Sequence, residues 1–113
     1  MCSDKTISEF ISWLKESPYW ENTTVVILGD HLLPSRIKKT GFPKRGIYNA
    51  FLNLPKGLKI DKNKAFSTYD IAPTLLESVG IKLNPRAFGL GRSMFADEDT
   101  LVEKYGVQDL KIL

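Results

Sequence analysis

Residues 23 to 28 read Thr-Thr-Val-Val-Ile-Leu, a β-branched and almost unbroken apolar run that stops at Gly29. Such side chains suit a pleated surface, and the lack of polar alternation predicts a strand covered on both faces. Before it, Ile7, Phe10, Ile11 and Leu14 recur at the i, i+3, i+4, i+7 spacing of one apolar helical stripe. Thr6 with Glu9 fits a capping box at the start of this helix, with Ser3 and Asp4 as alternative caps. Ser17-Pro18 ends it, because proline disfavours helical geometry in the residue before it. Helix, buried strand and glycine-initiated loop in succession predict an α/β layered domain with a small, largely parallel sheet and flanking helices.

A second strand is expected over residues 47 to 54, closed by the turn signal Pro55-Lys56-Gly57. A second helix follows Ser67-Thr68-Tyr69-Asp70, which offers a capping box or an Asp70 cap, and Pro73 is tolerated in the first turn, where amides lack partners. Its expected buried stripe is Ala72, Leu75, Leu76 and Val79. Gly80 followed by Ile81 matches a left-handed C-terminal cap with its hydrophobic contact. Residues 84 to 92 read as a loop punctuated by glycine and proline, and residues 101 to 113 as a short helix and tail. Trp13, Trp20 and the phenylalanines are expected to pack in the core.

Composition narrows the function classes. The 113 residues are 42% hydrophobic and 26% charged, the proportions of one soluble globular domain. No apolar run approaches the roughly 20 residues of a membrane-spanning helix. The single cysteine, Cys2, excludes an internal disulfide and a thiolate metal cluster. The first residues lack the basic and apolar regions of an export signal, and a helix starting so near Met1 suggests a piece of something longer. The formal net charge is +3, yet residues 36 to 64 hold nine Lys and Arg against Asp61 alone, a local +8, so the remainder sums to 3 − 8 = −5. That stretch is either a solvated surface or a face for phosphates or an anionic membrane.

Asp30-His31 directly follows the apolar run and Gly29, placing both at a strand's carboxyl end, where open α/β sheets carry their ligands. Adjacent strand residues point to opposite faces, so a turn at Gly29 is needed to bring both onto one ion. A carboxylate oxygen with an imidazole nitrogen suits Zn²⁺ or Mn²⁺ better than Ca²⁺. A loop-capping aspartate beside an incidental histidine is the bland alternative.

Residues 24 to 31, Thr-Val-Val-Ile-Leu-Gly-Asp-His, together with residues 66 to 81, Phe-Ser-Thr-Tyr-Asp-Ile-Ala-Pro-Thr-Leu-Leu-Glu-Ser-Val-Gly-Ile, resemble the C-terminal part of the sulfatase branch of the alkaline phosphatase superfamily. Cys-Ser-Asp at 2 to 4, Ser-Pro-Tyr-Trp at 17 to 20 and Gly-Leu-Gly-Arg-Ser at 89 to 93 are most similar to bacterial phosphoglycerol transferases that decorate membrane-derived oligosaccharides. The resemblance covers essentially the whole chain and implies that residues 1 to 113 are one C-terminal lobe of a sulfatase-like catalytic domain.

The resemblance further implies a parent enzyme anchored in a bacterial inner membrane, with its catalytic domain in the periplasm. Its divalent metal would be Mn, Zn or Mg, its donor an anionic phospholipid headgroup, and its acceptor a periplasmic glucan. Asp30 and His31 would be metal ligands, while the nucleophile and the other ligands lie in the family's larger N-terminal part. No catalytic residue is assigned to this chain, and Thr23, Thr24, Thr40 and Thr68 are not promoted to nucleophile. The piece alone is expected to be catalytically silent and to hold the metal loosely.

Lys38 or Lys39 would fill the place of a substrate-contacting lysine, although Leu-Leu-Pro-Ser-Arg at 32 to 36 departs from the sulfatase pattern. Arg45 would orient the loop. Gly89 to Arg92 lacks the strand-to-helix setting of a phosphate-cradling loop and reads as a structural turn. Phosphoethanolamine transferases, lipoteichoic-acid-type synthases and true sulfatases share the same features. A non-catalytic, basic polyanion-binding module is the reading from another class; nucleic acid is not expected, since no RNA motif or recognition helix accompanies the basic residues. Sheet edges and apolar surface exposed in an excised lobe would favour a homo-oligomer.

Overall fold

The first helix, α1 (Cys2–Glu16), begins five residues earlier than a Thr6 cap implies. Asp4 lies in its first turn, where a carboxylate complements the free amides, so the polar residues at 3 to 6 extend the helix rather than start it. The computed structural model describes residues 2–31 and 46–109 and divides into two units, residues 1–53 and 54–113. Among the described residues no helix is long and apolar enough to cross a membrane.

In the first unit, α1 stops as expected at Ser17, whose amide and hydroxyl both donate to the Leu14 carbonyl, at 3.1 and 2.7 Å. A 3-10 turn, Trp20–Asn22, then leads into β1 (Val25–Leu28). This strand pairs antiparallel with β2 (Asn49–Leu52) in the register Val25↔Leu52 to Leu28↔Asn49. Asn53 clamps the other end of the pair. Its φ is +55, its amide donates to the carbonyls of Trp20 and Thr23, and its own carbonyl accepts the Thr24 hydroxyl.

The largely parallel sheet is therefore corrected: both strand pairs among the described residues are antiparallel. An unbroken apolar run reports how a strand is covered, not which way its neighbour runs. The burial expectations for this unit also need correcting. Leu14 is buried and Ile11 half-buried, but Ile7, Phe10 and Trp13 are exposed, and β1 is only partly covered. Phe10 and Trp13 stack against each other with ring centroids 5.8 Å apart. A helical stripe identifies the face that would be buried, and this unit buries only its C-terminal end.

The second unit starts from the expected cap. The Ser67 amide and hydroxyl both donate to Asp70 Oδ2, at 2.8 and 3.0 Å, initiating a 3-10 turn, Thr68–Asp70, that continues into α2 (Ile71–Ser78). Gly80 has φ +89, its amide donates to the Glu77 carbonyl, and the Ile81 amide donates to that of Leu76. This is the anticipated left-handed termination.

The buried face of α2 is not the expected one. Pro73, Thr74, Glu77 and Ser78 are buried, Leu75 and Leu76 are half-buried, and Ala72 and Val79 are exposed, Val79 at 70%. A short hairpin, β3 (Ala87–Phe88) and β4 (Gly91–Arg92), with the segment that follows it, lies against this polar side. The Arg92 amide donates to Asp70 Oδ1 (2.8 Å) and the Met94 amide to Thr74 Oγ1 (2.9 Å). Arg86 spans both oxygens of Glu77, at 2.8 and 3.0 Å, and donates to the Phe95 carbonyl. Burial raises the Glu77 pKa, but the Arg86 guanidinium and the Ser93 hydroxyl more than offset this and leave it below the ordinary carboxylate value. Among the described residues every buried side-chain polar atom has a partner, which is the condition for a polar interior to be tolerated. Phe95, unlike Phe10 and Phe88, is buried as expected of a core aromatic.

The last helix, α3 (Leu101–Asp109), departs from helical geometry at Gly106, where φ is +76. Thr100 and Glu103 cap it reciprocally, each side chain accepting the other's amide. The Thr100 and Ala65 amides, both donating to the Glu103 carboxylate, hold its pKa below the usual value against the opposing effect of burial. Lys64 joins the cap to the preceding loop, its ammonium donating to the carbonyls of Ala96 and Glu98.

Candidate functional site

The β1–β2 ladder delivers Asp30-His31. It runs one residue past β1, with the Gly29 amide donating to the Tyr48 carbonyl at 2.9 Å. A Cβ on Gly29 would stand 2.9 Å from Ile47 Cγ2, so glycine is needed there for close strand approach rather than for a turn. The chain bends at Asp30 and His31 themselves, which relocates the turn expected at Gly29.

That bend places the two side chains together. The His31 amide donates to Asp30 Oδ1 at 2.9 Å, tying the carboxylate back over its own bend, while Asp30 Oδ2 lies 3.4 Å from His31 Nε2. Both side chains face solvent, Asp30 at 87% and His31 at 67% exposure. Two donors each about 2.1 Å from a tetrahedral ion lie about 3.4 Å apart. The donor set and its spacing thus fit one corner of a divalent-cation site. No cluster of three or more histidine, cysteine, aspartate or glutamate side chains suited to a metal occurs among the described residues. The pair can therefore supply only part of a coordination shell.

Lys38, Lys39 and Arg45 lie outside the described residues. Gly89 to Arg92 forms the hairpin turn expected of it, with the Arg92 amide engaged by Asp70 instead of facing a ligand. A Cβ on Gly91 would overlap the Tyr69 carbonyl, so this glycine serves close packing.

Sequence reasoning did not single out Asn53, which fixes the register that carries Asp30 and His31 to the end of the ladder. An asparagine inside the end of the predicted strand, two residues before Pro55, was the available signal, because asparagine tolerates the left-handed conformation and bonds neighbouring backbone.

The family model described as Sulfatase matches residues 1–81, a span that contains the pair, the ladder and α2. The chain belongs to the sulfatase family. Membership brings the α/β class expected from the sequence. Among curated relatives of this sulfatase-family chain, phosphoglycerol transferase I of Xanthomonas campestris pv. campestris (strain B100) is 32% identical over 99 residues, covering 86% of this chain and 14% of the relative. The same-named protein of Xanthomonas euvesicatoria pv. vesicatoria (strain 85-10) is 33% identical over 97 residues, covering 84% and 14%. That of Citrobacter koseri is 30% identical over 103 residues, covering 86% and 13%. The chain thus spans about one-seventh of the length of these relatives. No solved structure matches it.

Proposed function

We propose that this chain is the C-terminal portion of a metal-dependent phosphoglycerol transferase that moves phosphoglycerol from an anionic lipid headgroup to a periplasmic glucan. The similarity to proteins named phosphoglycerol transferase I over most of the chain carries this reading. The convergence of Asp30 and His31 supports it.

In this reading Asp30 Oδ2 and His31 Nε2 hold one side of a Mn, Zn or Mg ion shared with ligands from the rest of the enzyme. Such an ion polarises a phosphoryl oxygen and stabilises the charge that develops on it. The chain's own contribution is orientation: the His31 amide fixes the Asp30 carboxylate, and the Gly29–Tyr48 bond fixes the bend. Lys38 or Lys39 would contact the phosphate of the anionic donor, their positive charge favouring its approach. Alone, the chain binds metal loosely and transfers nothing. The complete enzyme is held at the inner membrane and works on its periplasmic side.

The test is made in the complete enzyme carrying this segment, following label from phosphatidylglycerol into a soluble glucan. His31→Ala and Asp30→Asn are each expected to lower turnover by about 100-fold or more. Turnover within twofold of the parent in both variants would overturn the metal assignment. Release of sulfate from an aryl sulfate without phosphoglycerol transfer would replace the transferase by a sulfatase.

A further inference from the structure

Two features of the second unit take no part in its packing. One is the loop over residues 56 to 62, where Lys56, Lys59 and Lys62 are exposed while Leu58 and Ile60 are half-buried. The loop is fixed at both ends: the Leu58 amide donates to the Pro55 carbonyl, and the Lys64 ammonium to the carbonyls of Ala96 and Glu98. Its one acid is Asp61, whose carboxylate accepts the Asn63 amide. Among the described residues none of the three exposed lysines is hydrogen-bonded or ion-paired. The other feature is the β3–β4 hairpin tip. Pairing of Phe88 with Gly91 leaves the two-residue turn Gly89-Leu90, with Phe88 60% and Leu90 59% exposed. The base of the hairpin is pinned, the Arg92 amide on Asp70 and the Ser93 amide on the Arg86 carbonyl.

Glu98 joins the two. Its carbonyl accepts Lys64 from the end of the loop at 3.0 Å, and its carboxylate lies 3.7 Å from Arg92 Nη1 of the hairpin. The acids beside the hairpin are answered locally, Glu98 by Arg92, Asp97 by Arg86, and Asp99 by Lys104 across a shared recess. The loop lysines have no such answer, which leaves positive charge in excess beside an apolar tip. A bilayer with anionic headgroups matches both features, because it presents phosphate at its surface and hydrocarbon beneath. A polyanion would use the lysines alone, and residues 54 to 65 hold neither an arginine fork nor an aromatic platform for bases. We propose that this end of the second unit docks on an anionic bilayer surface, with Phe88 and Leu90 entering the acyl boundary and Lys56, Lys59 and Lys62 on the headgroups. Lysine stems reach far enough to keep their ammonium groups at the phosphates. The docking reads surface charge rather than one headgroup. It needs neither the Asp30-His31 pair nor metal, so it stands or falls separately from the transferase reading.

The 113-residue chain, free of added metal, is sedimented with vesicles of phosphatidylcholine alone or mixed with phosphatidylglycerol or, at the same molar fraction, phosphatidylserine. Its Phe10→Ser/Trp13→Ser variant is run in parallel, so that the rings of α1 contribute neither self-association nor insertion. Both proteins should bind the two anionic mixtures alike, and less as salt rises from about 0.1 to about 1 M, where the Debye length falls from roughly 10 to roughly 3 Å. Lys56→Gln/Lys59→Gln/Lys62→Gln should lower partitioning by about 100-fold, near fivefold for each lysine. Phe88→Ser/Leu90→Ser, or Leu90→Ser alone as the milder change, should lower it by about tenfold at either salt concentration. Circular dichroism checks that each variant is folded. Four results would each overturn the proposal: no binding to anionic vesicles, unchanged partitioning in the folded lysine variant, unchanged partitioning in the folded tip variants, which would mark a general polyanion surface, or a preference for phosphatidylglycerol over phosphatidylserine, which would mark recognition of a single headgroup.

Discussion

Replacing Arg86 with alanine tests why the second unit holds together. The Glu77 side chain is 9% exposed, and Arg86 provides two of its hydrogen bonds and one to the Phe95 carbonyl. The variant leaves a buried carboxylate without its cation, and a carbonyl without its donor. Breaking a fully buried ion pair costs about 3–5 kcal/mol. The Arg86 side chain is 37% exposed, so solvent already screens part of the attraction, and roughly 2–3 kcal/mol is the appropriate expectation. In a unit of this size that is a fall in Tm of about 10–20 °C. Tryptophan fluorescence would report the wrong unit, because Trp13 and Trp20 both lie before residue 53. Far-UV circular dichroism registers helices of both units, so hydrogen exchange at the Met94 amide held by Thr74 is the measurement that reads the right one. The double variant Glu77→Leu/Arg86→Met should recover most of the loss, since apolar groups of similar volume need no partners. A loss below about 0.5 kcal/mol in Arg86→Ala, the size of an ordinary surface substitution, would refute the ion pair as the organiser of this unit.

Acid should weaken the same unit. Glu77 and Glu103 both have folded pKa values below their ordinary ones, so each contributes stability that is complete above the unfolded value of about 4.3 and is lost as pH falls through the lowered folded value. Melting followed by circular dichroism from pH 7 to pH 3 should stay level down to about pH 5 and then decline; a rise in stability on acidification would contradict the assignment. The two close-packed glycines should differ in their tolerance of alanine. In Gly91→Ala the new methyl meets the Tyr69 carbonyl, which is backbone, and about 3 kcal/mol or more is expected; in Gly29→Ala it meets the Ile47 Cγ2 methyl, which moves aside only when the whole side chain turns, and a smaller cost of about 1–2 kcal/mol is expected. Urea titrations of both variants check the order, and equal costs would mean that the hairpin yields as readily as a side chain.

What could be read in advance was whatever short-range chemistry determines. The Ser67–Asp70 cap, the Gly80 termination, the Ser17-Pro18 stop and the Gly89-Leu90 turn each depend on a few adjacent residues, and each forms as the local rules require. The proximity of Asp30 to His31 belongs to the same class, although its cause, a bend one residue beyond Gly29, was misplaced. Direction of strand pairing and choice of buried face depend on what lies across the sheet or helix. The α2 pattern named its apolar face correctly as apolar. Arg86, nine residues beyond Glu77, is what allowed the opposite face to be buried instead. A lone arginine in a loop carries no sequence signal of that role until its partner is known.

The apolar surface left over has a consequence of its own. On α1, Ile7, Phe10 and Trp13 follow one another at intervals of three residues along one side, with Phe10 and Trp13 more than half exposed. On α2 and its cap, Val79 and Ile81 are likewise exposed. A net charge of only +3 over 113 residues offers little repulsion against association. The 113-residue chain is therefore expected to self-associate as its concentration rises, and the association should strengthen with salt, because burial of apolar area survives screening and ion pairs do not. Phe10→Ser/Trp13→Ser should restore the monomer, since two large rings would no longer gain by leaving water. Sedimentation velocity separates the outcomes. A monomer at millimolar concentration in high salt, or association unchanged in the double variant, would mean that these side chains are not the surface through which copies meet.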